Sequence, residues 1–258
     1  MHLPSSLVRI KRSLAERGIL ETFRASLVRV RTELLSLRHP THPFDLRHNV
    51  DTSGLIRGRK LRSEHPHDSS ITAYWGTSPS VFKAILESWQ ETLSGTPYDY
   101  TFIDIGCGKG RTLMIASNTS FKKIVGVELN PQLAGIARQN LATWQTVEHA
   151  CNDITVLNAD ALEFPLPSSS ALFFLFHPFD GAVMQLFLDR FAALSHSTPI
   201  DIVYVNPLHA DLILNTPGAS LLWSKDIPHS PEDAAVDVFR SSGELCHLYR
   251  LRPPTFTQ

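Results

Sequence analysis

The stretch Phe102-Ile103-Asp104-Ile105-Gly106-Cys107-Gly108-Lys109-Gly110-Arg111 decides the reading of this chain. A strand expected over 101–105 passes directly into three glycines at alternate positions, and a helix is expected over 111–117. The order is strand, tight turn, helix. Glycine is required where the backbone takes a positive φ or must come within contact distance of a ligand. The first turn of a helix adds unpaired N–H groups and the positive end of a dipole. In this context a glycine-rich turn marks a site for a nucleotide-like ligand.

Downstream the same alternation continues. Strands are expected over 123–129, 154–158, 172–177 and 199–205, with helices over 131–143 and 182–194. The run Leu172-Phe173-Phe174-Leu175-Phe176 is apolar at every position, as a parallel strand buried on both faces requires. Strands over 220–223 and 244–251, with no long helix between them, suit an antiparallel hairpin at one edge. The fold class is therefore α/β: a Rossmann-like doubly wound sheet of about seven strands with an antiparallel edge hairpin.

Upstream, a helix is expected over 80–93, with Ser78 as N-cap and Pro79 at its first position. Residues 5–38 read as an amphipathic helical extension: Leu20, Phe23, Leu27, Val30, Leu34 and Leu37 fall on one face. Residues 39–70 are polar and read as an irregular connection. The expected division is a basic arm over 1–70 and a ligand-binding domain over 71–258.

Charge divides along the same line. Residues 1–68 carry 13 Lys and Arg against 7 Asp and Glu, whereas the remainder carries 11 against 18. Such an arm can meet an acidic partner, another chain or the acidic remainder of its own chain. It lacks clustered aromatics for stacking bases, so no strong nucleic-acid signature is present. The composition, 43% hydrophobic and 19% charged, fits a sizeable core. No apolar run approaches the ~20 residues of a membrane helix, and Met1 to Lys11 lacks the apolar region of a signal peptide. Three widely spaced cysteines, Cys107, Cys151 and Cys246, give neither a CxxC pair nor a disulfide framework, which fits a reducing cytoplasm. Five of the twelve histidines lie between His39 and His67, but none has the i,i+4 spacing of a zinc-binding HExxH, so no metal site is expected.

Two further acids sharpen the ligand. Glu128 ends the second strand in Gly126-Val127-Glu128-Leu129, about 20 residues past the glycines, the offset at which a carboxylate meets a ribose hydroxyl pair. Asp160 follows the third strand in Asn158-Ala159-Asp160-Ala161; its carboxylate can accept from an adenine amino group while the Ala161 N–H reaches a ring nitrogen. The dinucleotide fingerprint is GxGxxG, but this chain has GxGxG, and Asp104 stands two residues before the first glycine, where it could bind a cationic amino group. S-adenosylmethionine (SAM) carries an ammonium, a carboxylate, a ribose and an adenine. Asp104, the helix N-terminus, Glu128 and Asp160 match those four parts. Lys109 and Arg111 have two readings, either touching the SAM carboxylate or standing in solvent.

These segments resemble the class I SAM-dependent methyltransferases. Asp104–Gly110 resembles their first motif, Glu128 their acid after strand two, and Asp160 their motif II acid. Phe102–Arg111, Phe121–Asn130 and Ala134–Asn140 are similar to a bacterial group of that class, part of it distantly similar to the Dot1 lysine methyltransferases. The similarity extends upstream through Phe44-Asp45-Leu46-Arg47 and Tyr74–Phe82, and downstream to Pro207. It implies SAM-dependent methyl transfer, with Asp104, Gly106, Cys107, Gly108, Gly110, Glu128, Leu129, Asp160, Ala161 and Thr77 around the cofactor.

The resemblance places the methyl acceptor near Phe176-His177-Pro178-Phe179. Amino-group methyltransferases carry Asn/Asp-Pro-Pro-aromatic there, where an amide and a backbone carbonyl hold the acceptor nitrogen. Here His177 replaces the amide. His177, Phe179 and Tyr74 are the candidate catalytic residues, with Tyr74 and Thr77 in a segment expected to fold over the cofactor and Asn206 beside the pocket. The acceptor, protein side chain or small molecule, stays open. Two other readings stand beside this one: an NAD(P)-dependent oxidoreductase and a non-catalytic SAM-binding protein.

Overall fold

The computed structural model describes residues 40–62, 65–67, 70–192 and 199–252. The helix expected over 5–38 lies outside them. Residues 40–62 fall in the same compact unit as the described strands and helices that follow. Within the expected irregular stretch lie a short helix α1 (Pro43–His48) and a strand β1 (Leu55–Ile56), which pairs antiparallel with β2 (Tyr74–Trp75).

Then follow α2 (Pro79–Gln90), β3 (Thr101–Ile105), α3 (Arg111–Ala116), β4 (Lys123–Glu128), α4 (Pro131–Trp144), β5 (Ile154–Asn158) and β6 (Ala171–Phe176). The remainder is α5 (Gly181–Ala192), β7 (Ile200–Val205), α6 (Ala210–Leu214), β8 (Ala219–Pro228), α7 (Pro231–Val236) and β9 (Gly243–Leu251). Seven strands form one sheet in the order β5-β4-β3-β6-β7-β9-β8. The first five run parallel; β9 is antiparallel to both β7 and β8. This is the mixed, doubly wound sheet expected, with the hairpin at its edge.

Alternation along the central strands builds two cores. Phe102, Leu172 and Phe174 face the layer holding Phe82, Trp89, Leu113 and Leu141 from α2, α3 and α4. Ile103, Ile105, Phe173 and Leu175 face Phe187 and Phe191 of α5 and Ile213 of α6. Each fully buried aromatic side chain contributes roughly 1.5–3 kcal/mol. One buried ion pair ties the hairpin to the parallel strands. Arg250 donates to both oxygens of Asp201, at 2.7 and 2.8 Å, and the Trp89 indole N–H donates to the same carboxylate at 2.9 Å.

Two local expectations change. Ser78 occupies the N-cap of α2 with extended dihedrals, but its side chain makes no capping bond; the first-turn side chain that is tied down is Ser80, held by Asp233. The β8 strand extends well past 220–223, because its polar residues Ser224, Lys225 and Asp226 pair with β9 through backbone groups alone. None of the described helices is long and apolar enough to cross a membrane.

Candidate functional site

The chain runs from β3 outward to β4 and β5, then returns to lay β6 against the other side of β3. That reversal opens a crevice at the carboxyl ends of the strands, the place where open α/β sheets bind ligands. Here it is a cleft of about 980 Å³, its open mouth included, lined by Asp104, Gly106, Cys107, Glu128, Leu129, Asp160, Ala161, Thr77, Tyr74 and Phe179. All ten of these were read from the sequence. Gly108, Gly110 and His177, also expected, are not among the lining residues.

The three acids sit on adjacent strand ends and all are buried. Burial pushes the Asp104 carboxyl up to about 7; the Thr112 hydroxyl, donating to its Oδ2, opposes that rise, and the charge of Glu128 adds to it. Glu128 is also raised by burial, against the hydrogen bonds it accepts. The Gly108 N–H donates to its Oε2 and the Asn130 N–H to its Oε1, both at 2.8 Å, which fixes the carboxylate while leaving lone pairs on each oxygen. Asp160 Oδ1 accepts the Leu162 N–H at 2.8 Å, and its Oδ2 faces His67 Nδ1 at 2.6 Å.

The glycine turn is folded back on the sheet. The N–H groups of Gly106 and Cys107 both donate to the Val127 carbonyl, and that of Gly108 to Glu128. These three donors are therefore not available to cradle a pyrophosphate, which separates this turn from a dinucleotide-binding one.

Lys109 and Arg111 behave differently from either expectation. Both are buried, and both hold the segment upstream of the domain core. Lys109 Nζ donates to Asp51 at 2.6 Å and to the Ser53 carbonyl at 2.8 Å. Arg111 donates to the Thr52 hydroxyl and carbonyl and to the carbonyls of Gly76 and Thr77, with Asp45 at 3.7 Å. Asp45 in turn accepts from the N–H groups of Thr52 and Ser53 and from the Thr52 hydroxyl. The strap 72–77 is thus fastened over the cleft from below. Tyr74 lies against Gly108, with its hydroxyl donating to the Thr52 carbonyl at 2.7 Å. A Cβ at position 108 would stand 2.3 Å from the Tyr74 ring, and φ there is +54°. The absence of a side chain at Gly108 makes room for the Tyr74 ring.

Residues 103–200 match a family model described as a methyltransferase domain. That match covers β3 to the start of β7, the part of the sheet that forms the cleft. No curated protein matches the chain at the level of sequence. Among solved structures it is similar to the magnesium protoporphyrin IX methyltransferase of Synechocystis PCC 6803 with bound SAM, at 12% identity over 67% of this chain and 79% of the other, TM-score 0.49. It is similar to an RNA methyltransferase of Salinibacter ruber in complex with S-adenosylhomocysteine, at 18% identity over 68% and 94%, TM-score 0.42. A ribosomal protein L11 methylase of Lactobacillus delbrueckii subsp. bulgaricus matches at 11% identity over 67% and 79%, TM-score 0.43.

At the other end of the cleft stand Phe176, Pro178, Phe179, Val183, Ile71 and Trp75. The strap closes here too. Ile71 bridges to Phe179, and the Thr72 hydroxyl donates to the His177 carbonyl at 2.9 Å. His177 itself has φ +44°, and its ring is turned out of the cleft: Nδ1 lies 3.1 Å from the Tyr204 hydroxyl, and the ring stacks on Tyr204 and neighbours His209. Burial and the neighbouring His209 lower its pKa. The expected catalytic set is therefore divided, with Phe179 and Tyr74 at the cleft and the His177 imidazole behind it. Asn206, also at positive φ, donates to Glu244 at 2.7 Å. Thr72, Trp75 and His67 line the cleft without having been singled out. No motif marks them; only their nearness to Tyr74 and Thr77 in sequence does.

Proposed function

We propose that the cleft binds SAM through Asp104 to the amino group, Glu128 to the ribose hydroxyls, and Asp160 with the Ala161 N–H to the adenine. The observation that carries this reading is the set of three buried carboxylates on three adjacent strand ends, facing one cleft. A buried carboxylate held near neutrality, as Asp104 is, gains most from a cationic partner. SAM when bound supplies the methyl group on an activated sulfonium, so this chain's residues have to align and shield rather than activate. Tyr74 and Thr77 cover the cofactor, and Phe176, Phe179 and Trp75 exclude water from the acceptor side.

The acceptor we infer is a small molecule presenting an apolar or aromatic flank to those walls. With an imidazole at position 177 in place of the amide, and its Nδ1 set against the Tyr204 hydroxyl, the paired amide geometry that holds an amine in the amino-group enzymes is replaced. A cytoplasmic location fits three free, buried cysteines. Part of the basic segment is engaged with its own domain through Arg47 and Glu232, at 2.5 and 2.8 Å. The test is incubation with methyl-labelled SAM and a cell extract, followed by sizing of the labelled product. Label recovered only in macromolecules contradicts the small-molecule acceptor.

A further inference from the structure

We propose that His65, His67 and Asp160 form a binding site for a divalent transition ion of the zinc class. One donor atom from each lies within 4.8 Å of the other two. Asp160 Oδ2 is 2.6 Å from His67 Nδ1 and 3.8 Å from His65 Nε2. The two imidazole rings are 5.4 Å apart at their centroids and tilted by 56°. The ligands come from two segments 93 residues apart in sequence, which is why no spacing rule reveals them.

The carboxylate is prepared for this. The Asp160 side chain is 5% exposed. Its Oδ1 is committed to the Leu162 N–H, so Oδ2 alone is turned to the histidines. The turn that carries it is anchored from α5, where Arg190 donates to the carbonyls of Ala161 and Phe164 at 2.5 Å rather than to the carboxylate. Two imidazole nitrogens and one carboxylate oxygen match zinc, nickel, copper or iron; calcium and magnesium require oxygen sets. Each ring must present a bare nitrogen to the ion. For His65 that gives up the long 3.2 Å bond its Nδ1 accepts from the His67 N–H.

The site overlaps the cofactor cleft, because His67 and Asp160 both line it. Resting on the reading under which Asp160 accepts from adenine, the ion and the cofactor compete for one oxygen. A metal bound here joins the His65–His67 segment to the turn that carries Asp160 and keeps the adenine out.

The test is calorimetric titration of the full chain with zinc chloride, repeated with cobalt(II) to read its ligand-field absorption, with and without saturating S-adenosylhomocysteine. One tight zinc equivalent is expected. His65→Ala and His67→Ala should each weaken it at least tenfold while S-adenosylhomocysteine still binds both variants, which shows them folded. Zinc affinity in the double variant equal to that of the wild type overturns the site, since other histidines then carry the binding. Zinc binding that S-adenosylhomocysteine leaves unchanged overturns the competition, and with it the adenine role of Asp160, while the metal site stands.

Discussion

Asp104 makes cofactor affinity depend on pH in a way that can be worked from the structure. Its carboxyl is held at about 7, mainly by burial, with the Thr112 hydroxyl pulling it down and Glu128 pushing it up. The free protein must ionise this group before it can pair with the cofactor ammonium. Below pH 7 each unit of acidity therefore costs about tenfold in affinity, so binding at pH 5 should be roughly a hundredfold weaker than at the plateau, ~2.7 kcal/mol. Above pH ~8 the ligand's own amino group loses its proton and affinity declines again. The assay is titration with S-adenosylhomocysteine from pH 5 to 9. Methylthioadenosine, which keeps the adenine and ribose but lacks the amino acid, is the control and should show no such slope. Thr112→Val removes a bond that favours the ionised form and should move the midpoint upward. In the ligand-free protein the sign reverses. A carboxyl raised from 3.8 to about 7 binds its proton more tightly folded than unfolded, so its contribution to stability falls as pH rises between those values. Equal slopes for the two ligands, or a flat profile for S-adenosylhomocysteine, would refute the assignment of Asp104 to the amino group.

Gly108→Ala drives a Cβ into the Tyr74 ring at a positive φ, and should weaken S-adenosylhomocysteine binding about tenfold by lifting the strap, ~1.4 kcal/mol by calorimetry. Arg111→Met leaves buried Asp45 without its cation and frees the strap; a loss of about 3–5 kcal/mol in chemical denaturation should accompany weaker cofactor binding. Asp201→Asn, far from the cleft, breaks the buried pair with Arg250 for a similar loss of about 3–5 kcal/mol, but should leave cofactor affinity within about twofold.

The contrast between these variants follows the line between what was legible in the sequence and what was not. The central parallel strands were legible because burial on both faces demands unbroken apolar runs, and β6 (Ala171–Phe176) lies within one residue of the span expected, 172–177. Asp104, Glu128 and Asp160 were legible because each stands at a strand end, a position the alternation itself defines. Lys109 and Arg111 were not, since their partners Asp51, Thr52 and Asp45 lie more than fifty residues upstream in a stretch without periodicity. That stretch is held by buried polar bonds and a few scattered apolar anchors such as Phe44 and Leu55, so its order leaves no periodic hydrophobic pattern. The His177 ring shows the same gap: its position was readable, but its direction is set by Tyr204 on the neighbouring strand.

The most direct test of the central claim is calorimetric titration of the full chain with S-adenosylhomocysteine, alongside Asp104→Ala and Glu128→Ala. One binding site is predicted, weakened at least tenfold in each variant, ~1.4 kcal/mol or more. Binding of NAD(P) in place of S-adenosylhomocysteine, or an affinity unchanged in both variants, would contradict it.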